Sequence, residues 1–69
     1  MNTMEALRAG RLAGTKELRI CADLDLFPRE ILDLSETLEI LDLSGNRLSE
    51  LPHDFSRLRK LRIVFFSQN

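Results

Sequence analysis

The chain has 69 residues, of which fourteen, one in five, are leucine. A domain of that length buries only about 60% of the surface its unfolded chain exposes, and a two-domain enzyme with a cleft is excluded. Ten basic side chains against eleven acidic ones leave a net charge of −1, so no overall field draws the chain to nucleic acid or anionic lipid.

The charges are segregated along the chain, with net values of +1 over residues 1–14, −5 over 15–45 and +3 over 46–69. The single cysteine, Cys21, cannot close an internal disulfide, which favours a reducing compartment. No apolar run of signal-peptide length follows the N-terminus. The longest apolar run, residues 63–66, is four residues, far short of the roughly 20 that a membrane helix needs. These features point to a cytoplasmic chain with no membrane partner.

Residues 2–11 read as a helix. Asn2 followed by Glu5 fits a capping box, with Asn in place of the preferred Ser or Thr. Met4, Leu7 and Leu12 form its apolar stripe, and Gly10 or Gly14 allows the chain to leave it. The segment 1–14 is therefore assigned to an N-terminal helix that covers the first strand. Further along, Leu41-Asp42-Leu43 alternates apolar and polar residues, the mark of a short strand with one buried face. Pro52 has no N–H and holds Leu51 extended, so no helix crosses that point. Beyond it, Phe55 and Leu58 fit one inward-facing turn, as do Ile31 and Leu34 earlier.

These elements repeat. Shifted by 23 residues, Leu18, Leu41 and Val64 coincide, as do Ile20, Leu43 and Phe66; Leu38 falls on Leu61 and Asn46 on Asn69. Between the strands the shift is 24, matching Leu24 with Leu48, Phe27 with Leu51, Pro28 with Pro52, Ile31 with Phe55 and Leu34 with Leu58. The first unit is thus one residue short after Ile20 and one long before Leu38. A unit of strand, turn and return segment cannot bury its apolar side alone, so neighbours must stack, with their strands parallel. The continuous core expected from this stacking is Leu18, Ile20, Leu41, Leu43, Val64 and Phe66. Asn46 and Asn69, at the turn out of the strand, are placed to bond backbone groups that the bend leaves unpaired.

The pattern Leu38-x-x-Leu41-x-Leu43-x-x-Asn46-x-Leu48, then Leu51-Pro52-x-x-Phe55-x-x-Leu58, resembles the leucine-rich repeat of the 23-residue kind. The third unit, Leu61-x-x-Val64-x-Phe66-x-x-Asn69, matches conservatively. The first, Thr15-x-x-Leu18-x-Ile20, has Asp23 where Asn is expected. The resemblance covers residues 15–69, about two full repeats and one truncated. It implies an α/β fold: a leucine-rich-repeat solenoid with short parallel strands on the concave side, an N-terminal capping helix and irregular or short helical return segments. Some bacterial proteins begin this way and continue into further repeats, sometimes ahead of a kinase-like domain.

If the repeat positions point inward, the outward strand residues form three columns across the sheet. They are Glu17, Ile40 and Ile63; Arg19, Asp42 and Phe65; and Cys21, Ser44 and Ser67. The resemblance implies that this concave face contacts a protein or peptide, and Arg19, Ile40, Asp42, Ile63 and Phe65 are the expected contact residues. Ile40, Ile63 and Phe65 would form an apolar patch there. The basic cluster Arg57, Arg59, Lys60 and Arg62 has no interleaved aromatics to stack bases and reads as a solvated face. Asp23 and Asp25, with Glu30 and Asp33, lack the glycine-turn spacing of a calcium loop.

Catalysis has little support. His53 follows Pro52 on the return side and Cys21 lies on the sheet side, too far apart for a Cys–His pair. No zinc spacing or phosphate loop is present, and no cofactor, metal or catalytic residue is expected. Two functions follow. One is a non-enzymatic protein-interaction module. The other is the N-terminal part of a larger protein, such as a kinase-like enzyme, whose repeats recruit a substrate or partner. The chain stops at Asn69 within a repeat, which predicts a frayed last strand or self-association through an uncapped edge.

Overall fold

Residues 2–69 are described by a computed structural model. Met1, the first residue of the expected 1–14 segment, lies outside them. Asn2 caps the first helix, α1 (Thr3–Arg8), by accepting a hydrogen bond from the Glu5 N–H at 2.8 Å. The helix is shorter than the ten residues expected from 2–11 because Gly10 turns left-handed at φ +74°. There the Arg11 N–H bonds the Ala6 carbonyl and the Gly10 N–H bonds that of Leu7, the paired arrangement with which helices commonly end at glycine. Leu7 is buried, as its periodicity requires, but its buried companion is Ala6; Met4 and Leu12 are half-buried against the core.

Three short strands follow, β1 (Glu17–Arg19), β2 (Ile40–Asp42) and β3 (Ile63–Phe65), in one parallel sheet of order β1-β2-β3. Leu18 pairs with Leu41, and Leu41 with Val64. Each pairing advances the chain by the same 23 residues as the repeat. The return segments contain 3-10 helices at Arg29–Leu34 and Phe55–Arg57. Pro28 immediately precedes the first of these as its N-cap, and the Pro52 carbonyl accepts from the Phe55 N–H at the start of the second. In both units the proline blocks a long helix and leaves a tight turn.

Leu18, Ile20, Leu41 and Leu43 point into the core, where Ile31, Leu32, Leu34, Leu38, Leu48 and Leu58 close over them. Leu32 joins this core without having been picked out by the repeat. Phe55 is only half-buried and meets Phe27 of the preceding unit edge to face, with ring centres 5.8 Å apart. The third unit departs from expectation. Leu41 is fully buried between two neighbours, whereas Val64 is 38% exposed and Phe66 half-buried. Burial in a parallel stack comes from both sides, and β3 has a neighbour on one side only. The strand is nevertheless formed and paired with β2.

The turn after β2 holds Asn46, the one buried polar residue among the described residues. Its Oδ1 accepts from the N–H groups of Ala22 and Leu24 at 3.0 and 3.2 Å. Its Nδ2 donates to the carbonyls of Ile20 and Leu43 at 2.9 Å each. Asn69 repeats the pattern one unit on, accepting from the Leu48 N–H and donating to the Leu43 and Phe66 carbonyls. Each asparagine reaches back to the unit before it. In the first repeat the element before the strand is α1 rather than another strand and turn, so a side chain at this place meets no such backbone groups there. Asp23, in that place, takes a left-handed φ of +52°.

Unequal burial along the inward column has a measurable consequence. Leu41→Ala is expected to cost about 2–5 kcal/mol, a large share of the roughly 3–10 kcal/mol that holds a domain of this size folded. Val64→Ala, at the half-open position, is expected to cost less than about 1 kcal/mol. Thermal melts followed by far-ultraviolet circular dichroism check both; equal losses would contradict the packing described.

Candidate functional site

Strand pairing places the outward residues in rows. Glu17, Ile40 and Ile63 are register partners across the three strands, and so are Arg19, Asp42 and Phe65. All five expected contact residues therefore share one face of the sheet. Phe65 and Ile63 are exposed by 51% and 41%, and Ile40 is half-buried beside them. Side chains directly across a parallel pair stand close enough to touch, so the three make an apolar corner at the β2–β3 side.

The β1–β2 side of the same face is ionic. The Arg19 Nε lies 3.2 Å from Asp42 Oδ2, with the guanidinium largely in solvent. The other Asp42 oxygen accepts from the Ser44 N–H at 3.0 Å. Hydrogen bonds from Ser44, with Arg19 adding its charge, hold the Asp42 carboxyl below the usual carboxylate range. Asp42 is thus a fixed anion that orients Arg19 rather than a proton donor. A shallow depression of about 230 Å³ runs between the two halves, lined by Glu17, Arg19, Ile40, Asp42 and Phe65 with Leu18 at its floor. In the third column, the Ser67 hydroxyl donates to that of Ser44 at 3.2 Å. Cys21 is exposed and its thiol points to the Gly45 carbonyl at 3.5 Å. Gly45 sits at φ +78°, the left-handed region that glycine enters without strain, and a Cβ there would stand 3.2 Å from that sulfur.

Several of the remaining charges pair with one another, most of them between units. Arg59 pairs with Glu36 at 2.9 Å and Arg62 with Glu39 at 3.6 Å. Arg57 lies 3.5 Å from Asp54, which also receives both terminal nitrogens of Arg29, at 2.6 and 3.2 Å. Arg47 stands 3.4 Å from Asp25. Two of the four basic residues, Arg59 and Arg62, are therefore paired with acidic partners one repeat earlier, and Arg57 with Asp54 of its own unit. Sequence reading treated these charges as solvated faces and missed the pairing. The signal was present: at the repeat shift, Glu36 falls on Arg59, Glu39 on Arg62 and Arg19 on Asp42, so the sign reverses each time. No three His, Cys, Asp or Glu side chains converge among the described residues. No helix among them is long and apolar enough to cross a membrane.

The family model for the Leucine Rich Repeat matches residues 37–58. This is the unit whose signature positions are all filled, from the residue before Leu38 through Leu58. No curated protein and no solved structure gives a significant match to the chain.

The bidentate bond from Arg29 pulls the Asp54 carboxyl down to about 2. A carboxyl with a depressed folded pKa stabilises the fold above its unfolded pKa and loses that contribution as pH falls through the folded value. Asp54→Asn should therefore lower the melting temperature at pH 7 and flatten the acid side of the stability curve between about pH 4 and pH 2. Melts of both proteins across that window check the claim; parallel curves would contradict it.

Proposed function

We propose, given that the chain is a leucine-rich repeat protein, that it binds a protein or peptide on the outward face of its sheet and is not an enzyme. Leucine-rich repeats generally serve protein interaction and are typically non-enzymatic. In this reading residues 15–69 form a short solenoid with the sheet on its concave side. Residues 1–14 are its N-terminal cap, closing the first unit as a neighbouring repeat would. The observation that supports the binding face is the apolar corner of Ile40, Ile63 and Phe65 next to the oriented Arg19–Asp42 pair.

Exposed apolar groups beside a polar rim characterise contact surfaces. Phe65 and Ile63 provide desolvation energy, and Arg19, positioned by Asp42, offers its outer N–H groups to a partner's carbonyl or carboxylate. Arg59 and Arg62 share their charge with Glu36 and Glu39, and no aromatic side chain interleaves with the basic cluster to stack bases, which supports a protein partner over nucleic acid. The exposed, unpaired Cys21 supports a reducing, cytoplasmic setting. The face has the same role if the repeats recruit a partner for an attached enzyme, and self-association through the edge of β3 would engage Ile63 and Phe65, which stand on that strand.

A random peptide library selected on the immobilised chain tests the reading. Enriched peptides should bind Phe65→Ser and Ile40→Ser variants at least about tenfold more weakly, the loss typical of a central apolar contact. Circular dichroism of the variants should match the parent, and Lys60→Ala should bind normally. Peptides that bind all variants alike would place recognition elsewhere.

A further inference from the structure

Of the carboxylates on the outward face, Glu17 and Asp42, only the second is committed. Asp42 gives one oxygen to the Arg19 Nε at 3.2 Å and the other to the Ser44 N–H at 3.0 Å. Glu17, exposed on β1, has no ion-pair partner among the described residues, neither Arg19 two positions on nor Lys16 beside it. With Arg19 matched to Asp42, the face keeps one uncompensated negative charge, and Glu17 carries it. The row around that charge is apolar: the register sets Ile40 directly across from Glu17 and Ile63 across from Ile40. Ile40 stands on the middle strand, and together with Glu17, Arg19 and Asp42 it lines the shallow depression in the face. A carboxylate bordering apolar side chains acts on a ligand through less water than an isolated surface charge does, so its field is felt more strongly.

We propose, resting on the binding face described above, that Glu17 selects a partner segment that carries a basic side chain close to a large apolar one. The apolar side chain covers Ile40, and the ammonium or guanidinium beside it pairs with the Glu17 carboxylate. Neighbouring strands lie about 4.8 Å apart, and alternate residues of an extended segment about 6.6 Å apart. A segment crossing the sheet therefore brings residues i and i+2 over β1 and β2, a mismatch that the long stem of Lys or Arg absorbs. Arg19 serves the same segment differently: Asp42 holds its Nε, and its outer N–H groups are left for a backbone carbonyl. Selection comes from desolvation as well as attraction. An uncharged partner lying over Ile40 strips water from Glu17 and returns no hydrogen bond, and an acidic partner adds repulsion. An acidic segment drawn instead to Arg19 would meet a guanidinium whose charge Asp42 already offsets. These determinants stand on β1 and β2, so the assignment does not depend on what lies beyond β3.

Running the random-peptide selection in parallel on the full chain and on its Glu17→Lys variant tests the assignment. Peptides enriched on the parent should carry Lys or Arg within about two residues of a large apolar residue. Those enriched on Glu17→Lys should carry Asp or Glu in its place. Parent-selected peptides should bind Glu17→Gln about five- to tenfold more weakly, the loss of one charge-assisted contact. They should bind Glu50→Gln, which changes an exposed carboxylate outside the strands, at parental strength. Raising the salt concentration should weaken binding to the parent more than binding to Glu17→Gln, because only the parent keeps the pair that salt screens. Peptides that lose Ile40→Ser and Phe65→Ser yet bind Glu17→Gln at full strength, or that are enriched in acidic residues on the parent, would overturn the role of Glu17 and leave the binding face in place. Peptides indifferent to every variant on the face, or no enrichment at all, would overturn both.

Discussion

Asn46 holds the neighbouring repeats in register. A side-chain amide has two donors on nitrogen and an acceptor oxygen with two lone pairs, and Asn46 uses all four capacities on backbone groups of its own and the preceding unit. The turn that carries the chain out of a strand strips those groups of sheet partners. Left unbonded in the interior, each would cost on the order of 1–3 kcal/mol. Aspartate could not donate and leucine could do neither. The residue is therefore tied to the turn, and the turn to the strand before it.

The rest of the molecule follows from that register. Parallel pairing at a constant 23-residue step brings Leu18 and Leu41 onto one inward column, where their burial supplies the main stabilising energy. It also converts charges distant in sequence into neighbours: Arg19 with Asp42, Glu36 with Arg59, Glu39 with Arg62. These pairs are solvent-exposed and screened by salt, so they add little to stability. Their value is directional, since a slipped register would set like charges against one another or leave them unpaired. The same step gathers Ile40, Ile63 and Phe65 on the outward face. The candidate binding surface is thus a by-product of the repeat geometry.

The strand positions, the parallel order and the outward columns were legible because a fixed repeat period leaves few ways to align three units. Other features depend on context that no periodicity records. Val64 occupies the same signature position as Leu41, yet its burial depends on whether something packs beyond β3. Ala6 lies off the Met4–Leu7 stripe, and the early end of α1 turns on Gly10 entering the left-handed region rather than on any loss of apolar spacing. The salt bridges between units were readable in principle, by testing the repeat shift for reversed sign as well as for matched chemistry. The face of Arg19, Ile40, Asp42, Ile63 and Phe65 could be placed from the sequence because side-chain direction in a strand alternates strictly. The chemistry of its partner is not encoded in that alternation.

Hydrogen exchange of the backbone amides in an Asn46→Ala variant tests the role of the asparagine most directly. If Asn46 holds the first two repeats together, the amides of Ala22 and Leu24, which it bonds, should lose their protection. The paired residues Leu18 and Ile20 should weaken with them, while Asn69→Ala should expose only Leu48 and its surroundings. Protection of Ala22 and Leu24 at the level of the parent chain, with an unchanged melting temperature, would contradict the account. Register would then have to reside in the apolar packing alone.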